Sequence, residues 1–352
     1  MIGEALNTVE NVTREKHANA TIDALKSIWQ RVLERPSICP EDNFFDLGGN
    51  PPLATKLFDE IARTCGRELP PVTIYSAPTI ASLAVLIDQP TAPRLPHLVL
   101  LKPGTEQPPI FIAHGLGSSV MEFFDLIKHI RTPHPIYGLQ AKGTDGASLP
   151  FTRIEDIARF HLDAIRSVQS HGPYALIGYS LGGVVAVEMA RRLAAGGEKV
   201  ALLTMIESYP HTEALAIWKR IHLIVAQLRY RVSDLMRSST DRTADVSLSY
   251  VKERARFSDF LAWTRYRPGF YNGTVMFVRA ADSPYPDPGA IWSHLASGFE
   301  VATVPGDHHT IILKHFESAG SVLTRHLRGA LWQLSLERLP SSNPTDPNAV
   351  AY

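Results

Sequence analysis

Apolar residues in the first quarter of the chain recur at the three- to four-residue spacing of amphipathic helices. In "TIDALKSIWQRVLE", which starts at Thr21, one stripe is formed by Ile22, Leu25, Ile28, Trp29 and Leu33. Thr21 itself has the side chain of an N-cap. Further helices are predicted at "PPLATKLFDEIARTCG", which ends at Gly66, and at "TIASLAVLID", with a short helical turn at "PPVTIY" between them. Residues 21–88 are therefore predicted to form a small all-α, four-helix bundle.

Beyond residue 98 the pattern changes to short apolar runs that alternate with helical stretches. The runs, which are rich in β-branched residues, are "PIFIAH", "YALIGY", "ALLTMI", "TVMFVRA" and "FEVATV". Helical patterns such as "IEDIARFHLDAIRSVQ" and "VVAVEMARRLAA" separate several of them. This alternation predicts a mostly parallel sheet covered by helices over residues 98–335. Residues 209–270 are all-helical in pattern and too long for an ordinary connection, which predicts an inserted lid.

Composition predicts the segments that flank these two domains. Three prolines in "DQPTAPRLPH" predict a semi-rigid linker over residues 89–97. Residues 1–20 are polar and are expected to be flexible, and the Pro-, Ser- and Asn-rich residues 336–352 are expected to be a disordered tail.

Overall charge and composition exclude several classes of protein. The formal net charge is +0, so nothing indicates a nucleic-acid or membrane partner. The N-terminus has no signal-peptide pattern, and no apolar run approaches the ~20 residues that span a bilayer. Cys39 and Cys65 lack metal-ligand spacing and are expected to be buried thiols. These features predict a soluble, cytoplasmic protein.

The chemistry of the chain is indicated by "PYALIGYSLGGVVAVEMARR", which contains a Gly-x-Ser-x-Gly motif centred on Ser180. The pentapeptide alone is a weak signal, but here a buried-type strand precedes it and a helical pattern follows it. A sharp strand-to-helix turn exposes the serine oxygen above the sheet. The N–H of Leu181, at the start of the helix, is then placed to stabilise an oxyanion.

A serine nucleophile needs a base and an orienting carboxylate. In "VATVPGDHHTIIL" the chain leaves the last strand, and we assign His308 as the base and His309 as a bystander. A metal site is discounted because no third ligand lies at useful spacing. Glu207 and Asp282 both follow strands whose ends meet at the edge of the sheet that carries Ser180, so either is a candidate acid.

The two regions resemble known domains. Residues 21–90, with "DNFFDLGGNPPLATKL", resemble a peptidyl or acyl carrier domain. Residues 98–330 resemble the thioesterase domain that ends nonribosomal peptide and polyketide assembly lines, through "GYSLGG", "YRPGFYNGTVMFVRA" and "VPGDHHTII". The resemblance implies an α/β-hydrolase fold with a helical lid. It also implies an acyl–serine intermediate that is resolved by water or by an internal nucleophile.

Transferred onto this sequence, the resemblance makes Ser180 the nucleophile and His308 the base. It favours Glu207 over Asp282 as the acid, although the family usually has aspartate there and glutamate is one methylene longer. The second oxyanion donor is expected in "AHGLGSS", at the N–H of Leu116, and His114 in that loop is expected to be structural.

The carrier-like region departs from its family at the attachment position. The family has an LGG motif, one polar residue and then the serine that accepts 4′-phosphopantetheine, whereas here Pro51 follows Asn50. No serine lies between Ser37 and Ser76. Thr55 lies one helical turn further on, where presentation to a transferase is not expected. The fold is expected to survive, with Asn50 as N-cap and proline at the first helical position. No cofactor is predicted on this chain.

These observations predict a thioesterase that hydrolyses or offloads acyl or peptidyl thioesters from coenzyme A or from the 4′-phosphopantetheine of a partner carrier protein or synthetase. Eleven Lys or Arg against six Asp or Glu in residues 211–270 fit such a partner, although solvated helix faces explain them equally well. The alternatives are a carboxylesterase or macrocyclase on the same triad, and a non-catalytic docking or decoy module.

Overall fold

A computed structural model describes residues 19–89, 96–117, 119–144, 148–210 and 248–337 of the 352-residue chain. The predicted flexible N-terminus, Pro-rich linker and C-terminal tail lie largely outside these residues, as does most of the predicted lid.

The N-terminal helical pattern forms a bundle around one apolar core. The helices are α1 over residues 19–33, α2 over Pro51–Cys65 and α3 over Ile80–Ile87, with a 3₁₀ turn at Pro71–Tyr75. Large side chains that fill the core include Leu25, Trp29, Phe44, Leu57, Ile74 and Leu83. The stability of so small a unit depends mainly on the burial of these apolar side chains.

Both ends of α2 follow from local sequence. Asn50 has extended backbone and its side chain accepts a hydrogen bond of 3.0 Å from the N–H of Leu53. Pro51 occupies the first helical position, where its missing N–H is not needed. Gly66 ends the helix at a φ of 65°. The helix start predicted for a carrier fold is therefore present, with proline as its first residue.

The larger region is built on a seven-stranded sheet in the order β1-β3-β2-β4-β5-β6-β7. Only β1 is antiparallel to its neighbour. The strands are β1 (Leu98–Lys102), β2 (Ile110–Ala113), β3 (Ile136–Leu139), β4 (Tyr174–Tyr179), β5 (Val200–Ile206), β6 (Tyr271–Ala280) and β7 (Ala296–Val304). All five predicted runs are strands, and the short strands β1 and β3 are additional to the prediction.

Helices cover both faces of the sheet. They are α4 (Phe124–His129), α5 (Ile154–Arg166), α6 (Leu181–Ala195), α7 (Leu248–Arg265), α8 (Gly289–Trp292), α9 (Thr310–Leu313) and α10 (Phe316–Glu337), with a 3₁₀ turn at Val120–Phe123. One apolar core lies between the sheet and α5 and α6, and a second lies between the sheet and α4 and α10. The architecture is that of an α/β hydrolase, as predicted. Helix α7 falls within the predicted lid.

The bundle and the sheet region share an apolar contact. The ring of Phe45, in the loop before α2, lies 5.7 Å from that of Phe124 at the start of α4 and 5.0 Å from that of Tyr75. Val72 packs with Val99 of β1 and Val120 of the neighbouring 3₁₀ turn. Burial, with Asp125 nearby, raises the pKa of Tyr75.

Two local predictions are wrong. Thr21 is not an N-cap, because α1 already includes residues 19 and 20, and its hydroxyl instead donates to Asp88 at 2.7 Å. The thiols are not buried: Cys39 is exposed and Cys65 is half-buried. Among the described helices none is long and apolar enough to cross a membrane.

Candidate active site

Ser180 lies at the sharp turn between β4 and α6. Its φ of 52° and ψ of −119° are strained for a residue with a side chain. A Cβ at Gly178 would collide with the backbone of Gly182 and Gly183, so the turn requires glycine there. The hydroxyl of Ser208 donates to the carbonyl oxygen of Ser180 at 2.6 Å. Strand, strained turn and helix together place Ser180 at the tip of the turn.

His308 reaches Ser180 from the loop that follows β7. Its Nε2 lies 3.1 Å from Ser180 Oγ, a hydrogen-bond distance. The hydroxyl of Tyr179 donates to the carbonyl oxygen of His308 at 2.6 Å, and the two rings lie 5.4 Å apart. Tyr179, the residue before Ser180, therefore holds the loop that carries the imidazole.

Glu207 lies behind the imidazole, directly after β5. Its side chain is fully buried, and its Oε2 lies 3.5 Å from His308 Nδ1. Oε1 accepts the N–H of Ala280 at 2.8 Å and Oε2 accepts the hydroxyl of Ser283 at 2.8 Å. Its φ of 46° turns the chain at this point. Two donors therefore fix the carboxylate at the outer limit of hydrogen-bond distance from the ring.

The two rival residues from the sequence lie elsewhere. Asp282 is exposed, and its backbone N–H donates to the carbonyl of Gly306 at 2.9 Å. His309 is also exposed, and its backbone N–H donates to Asp307 at 2.9 Å. Within the described residues, the structure thus brings Ser180, His308 and Glu207 together and leaves Asp282 and His309 outside this group.

The two predicted oxyanion donors lie on different elements. Leu181 is the first residue of α6 and follows Ser180 directly. Leu116 lies in the loop after β2 that contains His114. His114 is buried, its Nδ1 lies 2.7 Å from the carbonyl oxygen of Gly115, and burial lowers its pKa. The ring is therefore held within the loop structure.

A small pocket opens beside Leu181 and combines apolar walls with four titratable groups, one of which is His114. Apolar lining comes from Ala113, Ala141, Phe151, Ile157, Phe160, Leu181 and Val185. His161, Asp259 and Lys142 also line it. Burial lowers the pKa of His161 to about 3 and raises that of Asp259 to about 7. Both groups are therefore biased toward their neutral forms. Across the described part of the chain, no three potential metal ligands cluster.

Sequence reasoning missed the residues that orient the three candidate catalytic groups. These are Tyr179, Ser208, Ser283 and Tyr285, whose ring lies 5.3 Å from that of His308. Tyr179 belongs to the quoted "GYSLGG" motif, and Ser208 and Ser283 each follow a candidate acid by one residue. The sequence could have pointed to these residues only through their position beside the motif residues. Spacing along the chain does not show which side chains are in contact.

A serine at a strand-to-helix turn, with a histidine and a buried carboxylate beyond it, is the arrangement typical of α/β hydrolases. Residues 108–326 match the family described as Thioesterase domain, and residues 23–87 match the family described as Phosphopantetheine attachment site. The chain belongs to the thioesterase-domain family, whose model matches more than half of it. The predicted order of a carrier domain followed by a thioesterase domain is confirmed.

Curated relatives and solved structures match large parts of this chain. Malpibaldin synthetase of Mortierella alpina is 32% identical over 264 residues, which are 73% of this chain and 5% of that protein. A four-domain nonribosomal peptide synthetase, holo-AB3403, matches 91% of this chain and 26% of its own at a TM-score of 0.57 and 21% identity. The type II thioesterase BorB matches 68% of this chain and all of its own, at a TM-score of 0.51 and 21% identity. At this identity the structural likeness concerns the fold, and the chain spans less than a tenth of the first curated relatives.

Proposed function

We propose that this protein hydrolyses acyl or peptidyl thioesters through an acyl–serine intermediate, with Ser180 as nucleophile, His308 as base and Glu207 as the orienting acid. The observation that carries the proposal is the separation of 3.1 Å between Ser180 Oγ and His308 Nε2. The buried carboxylate of Glu207, 3.5 Å from Nδ1 of the same ring, supports it. In apo structures catalytic contacts are often long and tighten when substrate binds.

The reaction has two halves that use the same groups. His308 takes the proton of Ser180 while Oγ bonds to the thioester carbon, and the carbon–sulfur bond then breaks. The thiolate is a good leaving group and receives the proton from the imidazolium. Water next gives a proton to His308 and attacks the acyl carbon. The bond between the acyl carbon and Oγ then breaks, the imidazolium returns the proton to Ser180 Oγ, and the acid is released. The N–H groups of Leu181 and Leu116 stabilise the oxyanion in both halves.

The acyl group has to come from a thiol outside this chain. A phosphopantetheine arm needs a serine hydroxyl, and Pro51 at the start of α2 has none. The residues at this position therefore do not fit the cofactor. The donor is a carrier protein or synthetase with its own 4′-phosphopantetheine, or coenzyme A. The cytoplasmic location expected from the sequence stays a prediction.

The test is a panel of acyl thioesters, on coenzyme A and on a loaded carrier protein, with matched oxygen esters and with product masses recorded. Thioester turnover to the free acid is expected, and Ser180→Ala should lose at least about 10⁴-fold in kcat. Ser297→Ala, at an exposed serine far along the chain, is the matched control.

Each alternative predicts a different result. Faster turnover of oxygen esters would indicate a carboxylesterase, and products lighter than the acid by one water would indicate a macrocyclase. A folded protein that neither turns over substrate nor labels at Ser180 with a fluorophosphonate would be a docking or decoy module, and the proposal would be wrong.

A further inference from the structure

The loop after β2 that contains Leu116 is held by two carboxylates from different parts of the chain. The N–H of Gly115 donates to Glu122 Oε1 at 2.7 Å, and the N–H of Gly117 donates to Asp259 Oδ2 at 3.0 Å. Within the described residues, the N–H of Leu116 donates to no other group. The two amides that flank Leu116 are thus occupied, and the amide between them is available to a ligand.

We infer that Glu122 and Asp259 are positioning residues of the oxyanion hole, which fix the amides of Gly115 and Gly117 so that the N–H of Leu116 faces the reacting carbonyl. The inference rests on the proposed function, because it assigns Leu116 as an oxyanion donor. Preorganised donors stabilise a transition state because they do not reorient during the reaction. A loop anchored on both sides of its donor has this property.

The two anchors differ in what they connect. Glu122 lies in the 3₁₀ turn a few residues beyond the loop, so its hydrogen bond is local. Asp259 lies on α7, 142 residues from Gly117. Since α7 falls in the predicted lid, this hydrogen bond ties the oxyanion loop to a helix that is distant in sequence.

Packing between the loop and α7 supports this role. Gly117 has a φ of 64°, and a Cβ on it would lie 2.6 Å from Cβ and Cγ of Arg256, one turn before Asp259. The loop backbone therefore lies directly against the helix. Asp259 is 5% exposed, so loss of its oxygen would leave a shielded N–H without an acceptor. The contact therefore needs a glycine at position 117 and a hydrogen-bond acceptor at position 259.

Paired substitutions of Asp259 test the inference. Asp259→Leu removes the acceptor, and Asp259→Asn keeps an oxygen for the N–H of Gly117. We expect Asp259→Leu to lower kcat for the best thioester about 100-fold with KM within about threefold, and Asp259→Asn to keep most of kcat. Glu122→Leu and Glu122→Gln should behave in the same way. Glu253→Leu, at an exposed position on α7, is the control and should match wild type.

A second readout separates positioning from a general structural role. A trifluoromethyl ketone analogue of the acyl group forms an oxyanion on Ser180, so its affinity should fall in parallel with kcat in Asp259→Leu and recover in Asp259→Asn. The inference would be overturned by a folded Asp259→Leu protein with unchanged kcat and analogue affinity. Equal losses in the Leu and Asn variants would also overturn it, because the charge and not the hydrogen bond would then be responsible.

Failure of the proposed function gives a different signature. A wild-type protein without thioesterase activity would refute the function but not the anchoring of the loop. In that case hydrogen exchange of the Gly117 amide would still accelerate in Asp259→Leu relative to wild type and Asp259→Asn. Unchanged exchange would overturn the anchoring itself.

Discussion

The helical bundle and the sheet region each have, at the start of one helix, the position where their family carries its reactive serine. The two positions differ in backbone strain. Pro51 begins α2 after a well-formed Asn50 cap, in a conformation that suits proline. Ser180 precedes α6 with a φ of 52°, which costs of order 1–3 kcal/mol and persists only when its surroundings enforce it. The unstrained start has no reactive atom, and the strained one presents a hydroxyl to His308. A helix start is thus preserved by capping and packing, while its chemistry depends on one side chain.

The largest expected effect is the presence or absence of a phosphopantetheine group at position 51. Incubated with a broad-specificity phosphopantetheinyl transferase and coenzyme A, the wild-type chain should gain no mass, because residue 51 has no hydroxyl. Pro51→Ser should gain one phosphopantetheine, since Asn50 still caps the helix. Intact-protein mass spectrometry measures both.

An adduct of that mass on residues 21–90 of the wild type would show that the bundle retains a carrier function. Absence of the adduct from folded Pro51→Ser would show that the bundle has lost more than a hydroxyl.

The next largest effect is expected in the hydrolase region. Glu207→Gln should lower kcat about 10³–10⁴-fold, because the imidazolium loses its counter-charge. Asp282→Asn should remain within about twofold, since that side chain is exposed. Steady-state kinetics on one thioester ranks the two variants.

Glu207 also accepts hydrogen bonds from Ala280 and Ser283, so a thermal melt has to show that Glu207→Gln is folded. Glu207→Asp, which restores the residue usual in the family, measures what the additional methylene contributes. A larger loss in Asp282→Asn would move the acid to that position.

The free energy of unfolding of the sheet region should depend on pH through the buried His161. The pKa of His161 is about 3 in the folded protein and near 6.5 when exposed. The unfolded state therefore binds the additional proton between these values, and stability falls as pH drops below 6.5. His161→Leu should flatten this acid limb by up to about 1.4 kcal/mol per pH unit. Chemical denaturation at several pH values measures it.

Asp259 acts in the opposite direction. Its pKa is raised to about 7, so its contribution is present below its ordinary pKa and is lost as pH rises toward 7. His294→Leu, at an exposed histidine, is the control and should leave the acid limb unchanged. An acid limb that is as steep in His161→Leu as in wild type would rule out His161 as its source.

The smallest effect concerns the contact between the regions. Phe45→Ala removes a half-buried ring that lies against Phe124 and Tyr75, and should lower the free energy of unfolding by about 1 kcal/mol. Calorimetry should show the transition of the sheet region shifting as well. Val85→Ala, at a side chain 63% exposed on α3, should shift neither region. A shift confined to the bundle would mean that the contact contributes little.

Sequence patterns predicted most of the framework because its signals are local. Five strands, both caps of α2 and the strand-to-helix turn at Ser180 follow from residues close together in the chain. Strands β1 and β3 were missed because four or five residues without clear alternation carry little signal. Thr21 was wrongly predicted to be the N-cap of α1. The helix starts before Thr21, but the apolar stripe that predicts the helix begins only at Ile22.

The groups that orient the site were beyond sequence reasoning for a different reason. Ser283 reaches Glu207 across 76 residues, and Tyr179 reaches His308 across 129. Each pair meets only because the strands that precede them are neighbours in the sheet or end at the same edge. Motif spacing gave candidate acids, but the choice between Glu207 and Asp282 needs the three-dimensional path of two loops.

The position of β7 at the rim of the sheet has a consequence for how the protein matures. Among the strands that the structure describes, β7 pairs only with β6, and the loop after it carries His308, 128 residues beyond Ser180. The imidazole therefore arrives only when this outermost strand docks, and contacts so distant along a chain are slow to form. During refolding, catalytic competence should lag behind the recovery of helical signal and report the completion of the whole sheet.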